Sequence, residues 1–269
     1  MPDDQKHYGV RELRGVIERG LAETGLSAGQ ANWRELAALD QFHVRGLAAT
    51  EELAAGMNIG KDEKVLDVGS GLGGPSRYLA ATYACHVTGV DLSEQFVDVA
   101  QHLAAFVGLD AAVDYKVANA LALPFADRSF NHAWTQHVAM NIADRATLYG
   151  EIYRVTKPDG RFGIYDVVLG DGGGIIYPVP WAPSAETSHL VTPEAMADIL
   201  SSVGFEKVSW TDTTAQGLAW FDKARQAPPP RLNLGLAMGE GFAAMTANLA
   251  RNLREGRVRL LQAVMRRPG

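Results

Sequence analysis

The stretch VLDVGSGLGG (65–74) concentrates the residues best suited to hold a reactive ligand. Gly69 and Gly71 tolerate positive φ and present bare backbone against which a ligand can lie. The helix expected after them offers unpaired N–H groups at its start. Twenty residues beyond Gly71, Asp91 closes a second apolar run, and a carboxylate there meets a ribose diol with two hydrogen bonds. The spacing therefore points to a nucleoside-bearing ligand. Gly69, Gly71 and Gly74 also match the dinucleotide G-x-G-x-x-G pattern, which is weak on its own. Asp67, two residues before Gly69, weighs against that reading: an anion suits a cationic sulfonium and ammonium and sits poorly beside a pyrophosphate. No second mononucleotide half follows residue 160.

The elements that must position these groups alternate between two periods. Runs at 64–69, 86–91, 113–118, 130–136 and 160–168 predict strands, with helices over 74–84, 93–108 and 145–157 between them. Ser93 is a natural N-cap, and the Lys157-Pro-Asp-Gly160 turn ends the third helix. Such interleaving implies βαβ units and a parallel sheet. Upstream, Leu13, Val16, Ile17 and Leu21 share a helical face, and 47–57 forms a second amphipathic stretch. Downstream, 171–184 is rich in glycine and proline and reads as a lid. A helix over 192–205 opens with Thr192 and Pro193, a strand covers 208–214, and Pro228–Pro230 break the chain. Phe242, Met245, Leu249 and Leu253 line another helix before a last strand at 257–265. The expected organisation is one domain over 1–269: a helical cap (1–60), a cofactor-binding core (61–169), a lid insertion (170–192) and a C-terminal part (193–269).

At 269 residues and a formal charge of −6, the chain suits a large α/β domain and lacks the basic face of a nucleic-acid binder. Arg251, Arg254, Arg257, Arg259, Arg266 and Arg267 alternate with apolar residues and read as a solvated face. One cysteine, Cys85, excludes an internal disulfide and any cysteine-built zinc site, and the histidines show no close ligand spacing, so no metal is expected. The N-terminus carries acids and no apolar segment, and no run of about 18 apolar residues is present, so a cytoplasmic protein with no membrane partner is expected.

The combination of VLDVGSGLGG, GVDLS (89–93), ALPFADRSF (122–130) and RVTKPDGRFGIYD (154–166) resembles the class I S-adenosylmethionine-dependent methyltransferase family. The resemblance is strong over about residues 40–169. It is closest to the small-molecule group that contains sarcosine/dimethylglycine and phosphoethanolamine N-methyltransferases. It implies a doubly wound, Rossmann-like α/β fold with seven strands, mostly parallel, the last antiparallel. It further implies that Asp67, Gly69, Ser70 and Gly71 hold the amino-acid part of S-adenosylmethionine. Asp91 would bind the ribose hydroxyls, Leu92 would lie against the adenine, and Asn119 and Ala120 would flank it. Asn119 stands where the family usually has an acid. Gln136 would line the floor near the methionine moiety.

Ligands of doubly wound sheets bind beyond the carboxyl ends of the strands, which would place Gln136, His137, Asn141 and Asp166 around the methyl group. QFHVRGLAAT (41–50) aligns with the family's N-terminal lid, but Gln41 replaces the tyrosine that the phosphoethanolamine enzymes carry there. His43 and His137 are the natural substitutes, and Asp166 is a third candidate base. Trp181, with Tyr177, lies in the lid and serves either as a cation–π contact to an amine or as ordinary packing. The expected activity is methyl transfer to a small molecule, most readily at an amine nitrogen, which needs only to arrive unprotonated. O- or C-methylation in natural-product or quinone metabolism is the alternative. A NAD-dependent oxidoreductase and a silent cofactor-binding regulator are more distant ones. A homodimer is allowed.

Overall fold

The computed structural model describes residues 12–226 and 228–269. The N-terminal residues on which the leader expectation rests, and His7, lie outside that range. In chain order the helices are α1 (Leu13–Thr24), α2 (Ala37–Asp40), α3 (Leu47–Ala55), α4 (Gly74–Tyr83), α5 (Glu94–Phe106), α6 (Arg145–Val155), α7 (Pro193–Val203), α8 (Thr214–Ala224), α9 (Gly235–Met238) and α10 (Phe242–Arg254). The strands are β1 (Lys64–Val68), β2 (His86–Asp91), β3 (Val113–Val117), β4 (His132–Gln136), β5 (Arg161–Leu169), β6 (Glu206–Asp212) and β7 (Val258–Arg266).

These strands form one seven-stranded sheet in the order β3-β2-β1-β4-β5-β7-β6. β1 through β5 pair in parallel, while β7 runs antiparallel to both β5 and β6. This is the doubly wound architecture implied by the sequence, and its last strand has the expected reversed direction. β4 is buried throughout and β1 at all but its first residue, as in parallel strands covered by helices on both faces. Trp134 on β4 is fully buried, and Cys85 is a buried free thiol.

Local sequence sets the helix boundaries. Ser93, Asp144 and Thr192 cap α5, α6 and α7 by accepting from the backbone N–H of Phe96, Thr147 and Ala195, each contributing about 1 kcal/mol. Gly204, at φ 113°, ends α7 in a conformation that glycine adopts without strain. The N-terminal helices seat on the core in two ways. Leu13, Ile17 and Leu21 pack with Phe96, Val99 and Leu103 of α5. Asp40, at the end of α2, accepts from Arg77 of α4 at 2.7 Å, and both side chains are buried.

Several details depart from the sequence reading. The strand expected at 208–214 begins at Glu206 and ends at Asp212. Phe130 makes only an isolated bridge to Thr156, ahead of β4. α8 corresponds to no predicted element. Arg267 does not belong to the solvated face: it is buried and donates to the Tyr153 carbonyl at 2.6 Å, where the backbone around the end of α6 supplies free acceptors.

Candidate functional site

The chain leaves β1 toward β2 and β3, then returns to β4 on the other side of β1. That switch point is where a doubly wound sheet opens a crevice at its carboxyl edge. A cavity of about 590 Å³ lies there, within the roughly 300–1,000 Å³ usual for small-ligand sites. The loops after β1, β2, β3 and β4 all reach it.

One end is built from Gly69, Gly71, Asp91, Leu92, Asn119 and Ala120. Gly69 and Gly71 have φ of 74° and 53°. A Cβ on Gly69 would stand 2.4 Å from Val138 Cγ2, so the turn accepts only glycine. Gly71 N–H donates to Asp91 Oδ2 at 3.0 Å, and Ser93 N–H donates to Oδ1 at 2.9 Å. A carboxylate oxygen can accept more than one hydrogen bond, so Asp91 keeps capacity for two hydroxyl donors, as a ribose diol presents. Burial pushes its pKa above the ordinary value, and its backbone donors oppose that shift. Asn119 Oδ1 accepts from Leu121 N–H at 2.9 Å, leaving its amide N–H groups to donate. These groups fit an adenosine.

The other end brings His43 and His137 together, with ring centroids 6.0 Å apart. His43 Nε2 lies 3.0 Å from the Gly46 carbonyl oxygen and 3.0 Å from Thr50 Oγ1. Gln136 Oε1 is 3.1 Å from Thr50 Oγ1 and accepts from Trp134 Nε1–H at 3.1 Å. Burial is the first cause that holds His43 down to about 3, with Arg45 adding to it. His137 is likewise held well below its ordinary value by burial and by His43. Both rings are therefore neutral near pH 7. His137 adopts φ 55°, uncommon for a residue with a side chain, and its Nε2 is buried without a partner. An unpartnered ring nitrogen at a cavity wall is an available hydrogen-bonding group. Asn141 and Trp181 also line the cavity.

Four candidates do not line it. Asp67 points beneath the glycine turn, where it accepts from Ser76 Oγ–H at 2.6 Å; burial raises it to about 7. Ser70 is buried beside it with Oγ unpartnered. Gln41 accepts from Thr50 Oγ1–H at 2.7 Å behind His43. Asp166 is fully buried, accepts from Val138 N–H at 3.0 Å and is raised to about 6 by burial, with Arg145 opposing. Asp166 was expected as a candidate base; in this structure its carboxylate holds the turn that carries His137 and Val138. Asp67 supports the glycine turn in the same indirect way.

Sequence reasoning missed the rest of the wall. Phe42, Met140, Phe221, Leu234, Met238 and Phe242 line the cavity. Only Phe42 had a signal, as an aromatic beside His43 in an otherwise polar segment.

Residues 66–164 match the family described as a methyltransferase domain. The chain carries a methyltransferase domain. This methyltransferase domain spans the glycine turn, Asp91, Asn119 and His137. A sterol 24-C-methyltransferase of Neurospora crassa is 38% identical over 119 residues, covering 44% of this chain and 31% of that protein. A sarcosine/dimethylglycine N-methyltransferase of Halorhodospira halochloris is 31% identical, covering 62% of this chain and 60% of that one. The chain spans about a third to a half of the length of the first curated relatives it matches. Among solved structures, a geranyl diphosphate C-methyltransferase of Streptomyces coelicolor, bound to S-adenosylhomocysteine, superimposes with a TM-score of 0.73 over 99% of this chain and 98% of that one. At 18% identity that likeness establishes the fold. Among the described residues no helix is long and apolar enough to cross a membrane, and no cluster of side chains could hold a metal ion.

Proposed function

We propose that this chain transfers a methyl group from S-adenosylmethionine to a small-molecule acceptor, at an amine nitrogen. One observation carries the reading: a single cavity joins the Gly69–Gly71 turn and Asp91 to the neutral pair His43 and His137. Residues 1–269 act in this reading as one methyltransferase unit with its own cap and lid, without nucleic acid as a partner.

S-adenosylmethionine, when bound, supplies a methyl carbon that already carries its leaving group. The chain has to hold, align and exclude water. Asp91 and Asn119 would hold the adenosine, and the turn at 69–71 would offer bare backbone to the amino-acid part. His137 Nε2 accepts an N–H of the acceptor and turns the nitrogen lone pair toward the methyl group. Gln41, Thr50 and Gln136 fix His43 in place beside it. The burial that keeps both histidines neutral also favours the uncharged, nucleophilic form of a bound amine. An N-methyltransferase among the relatives supports nitrogen as the nucleophile.

The test is turnover with methyl-labelled S-adenosylmethionine and a panel of amines, phenols and enols. Release of S-adenosylhomocysteine with label on nitrogen is the expected result. Label confined to oxygen or carbon would overturn the choice of nucleophile. No product with any class would overturn methyl transfer itself.

A further inference from the structure

Every element that contributes to the acceptor side of the cavity brings a large apolar side chain to it, beside the neutral polar groups of Asn141, Thr187 and Thr246 and the imidazole of His189. Met140 follows β4, Trp181 comes from the loop after β5, and Phe221 from α8. Met238 belongs to α9, and Phe242 and Leu249 to α10. Trp181 is buried, and its indole N–H donates to Ser188 Oγ at 3.0 Å, so its polar edge is already satisfied and its apolar faces are left for contact.

Charge is distributed just as unevenly. Among the described residues, no lysine and no arginine lines the cavity. Two cations are immediately adjacent in sequence to lining residues, and both are engaged elsewhere. Arg45 pairs with Glu52, and Arg145 donates to the His189 carbonyl at 3.0 Å and to the Tyr149 hydroxyl at 3.3 Å. The formal charges on the wall are the carboxylates of Asp91 and Asp144. Asp144 is occupied by Thr147, which donates to it from N–H at 3.0 Å and from Oγ1–H at 2.7 Å.

We infer that the acceptor is a lipophilic molecule without an anionic group, and that the cavity rejects phosphorylated or carboxylated amines. This rests on the methyl-transfer reading above and adds the acceptor's chemical class. A phosphate or carboxylate entering this space sheds water and meets no lysine or arginine, only apolar residues, a few polar side chains and two carboxylates. Burying a charge without a partner costs far more than the apolar contacts beside it return. An apolar body gains from each wall residue it covers. A neutral amine on such a body places its one polar group at His137 Nε2, the buried nitrogen that has no partner within the protein.

The experiment uses two fluorescent probes that share one skeleton, N-phenyl-1-naphthylamine and its sulfonated counterpart 1-anilinonaphthalene-8-sulfonate. Each is titrated into the full chain saturated with S-adenosylhomocysteine, which removes the sulfonium charge as an attraction for anions. The neutral probe should bind at least about tenfold more tightly, a difference of about 1.4 kcal/mol. Equal affinity, or preference for the sulfonate, would overturn the inference. Phe242→Arg puts a cation into the half-buried start of α10 and should narrow the ratio; an unchanged ratio would mean that the probes bind elsewhere and would also overturn it. S-adenosylhomocysteine binding is measured first. Its failure would contradict the methyl-transfer reading, whereas its success with indifferent probes would remove only the acceptor class.

Discussion

Replacing Asp67 by asparagine should remove a pH dependence that the native fold carries at neutral pH. Asp67 is buried under the glycine turn, its one hydrogen-bond donor is the neutral Ser76 hydroxyl, and Asp91 adds a repulsion. Its pKa rises from 3.8 to about 7. The folded state therefore keeps a proton that the unfolded chain sheds near pH 4. Asp67's contribution to stability is full below pH 4, is lost as pH rises through the window to about 7, and changes no further above it. A shift of about three units corresponds to about 4 kcal/mol. Asparagine has the shape of the protonated acid and can still accept from Ser76, so it escapes this loss. Urea unfolding of wild type and Asp67→Asn at pH 4.5, 6, 7 and 8 reads the difference, with m unchanged. The gap should widen in favour of the variant by several kcal/mol between pH 4.5 and 8. Two curves that stay parallel would refute the claim that burial holds this proton.

Other outcomes follow from the same geometry. Gly69→Ala combines about 1–2 kcal/mol of left-handed strain with about 1–3 kcal/mol from forcing Val138 aside, and calorimetry should report both lower stability and lost cofactor binding. Arg77→Met leaves Asp40 buried and unpaired, so chemical denaturation should show a loss of about 3–5 kcal/mol. Because burial keeps His43 and His137 neutral, kcat/KM between pH 6 and 8 should lack a break near 6.5. A break there that disappears in His137→Gln would contradict the assignment.

The core was legible because its chemistry is local. Glycines at 69 and 71 must follow a strand, Ser93 and Thr192 announce helix starts, and period-two runs separate from helical ones. What escaped was direction. β1 and β4 are buried on both faces, so alternation cannot tell whether Asp67 points at the ligand or under the turn. The same ambiguity holds for Asp166 on an equally buried β5. The acceptor wall escaped because it is tertiary. Phe242, Leu249 and Leu253 announce an amphipathic helix, but nothing in their spacing says that the first two reach a cavity while Leu253 meets only the core. α8 buries only Gly217 and Phe221, too narrow a stripe to stand out in the sequence.

The central claim, that the turn at 69–71 and Asp91 hold an adenosyl cofactor, is tested most directly by titration calorimetry. S-adenosylmethionine, S-adenosylhomocysteine and NAD are compared on wild type and Asp91→Ala. Wild type should bind both adenosyl ligands and not NAD. Removing two hydrogen bonds to a charged group, at about 1.5–3 kcal/mol each, should weaken that binding at least about 100-fold in the variant. Binding of NAD alone, or adenosyl binding that is indifferent to Asp91, would contradict the account.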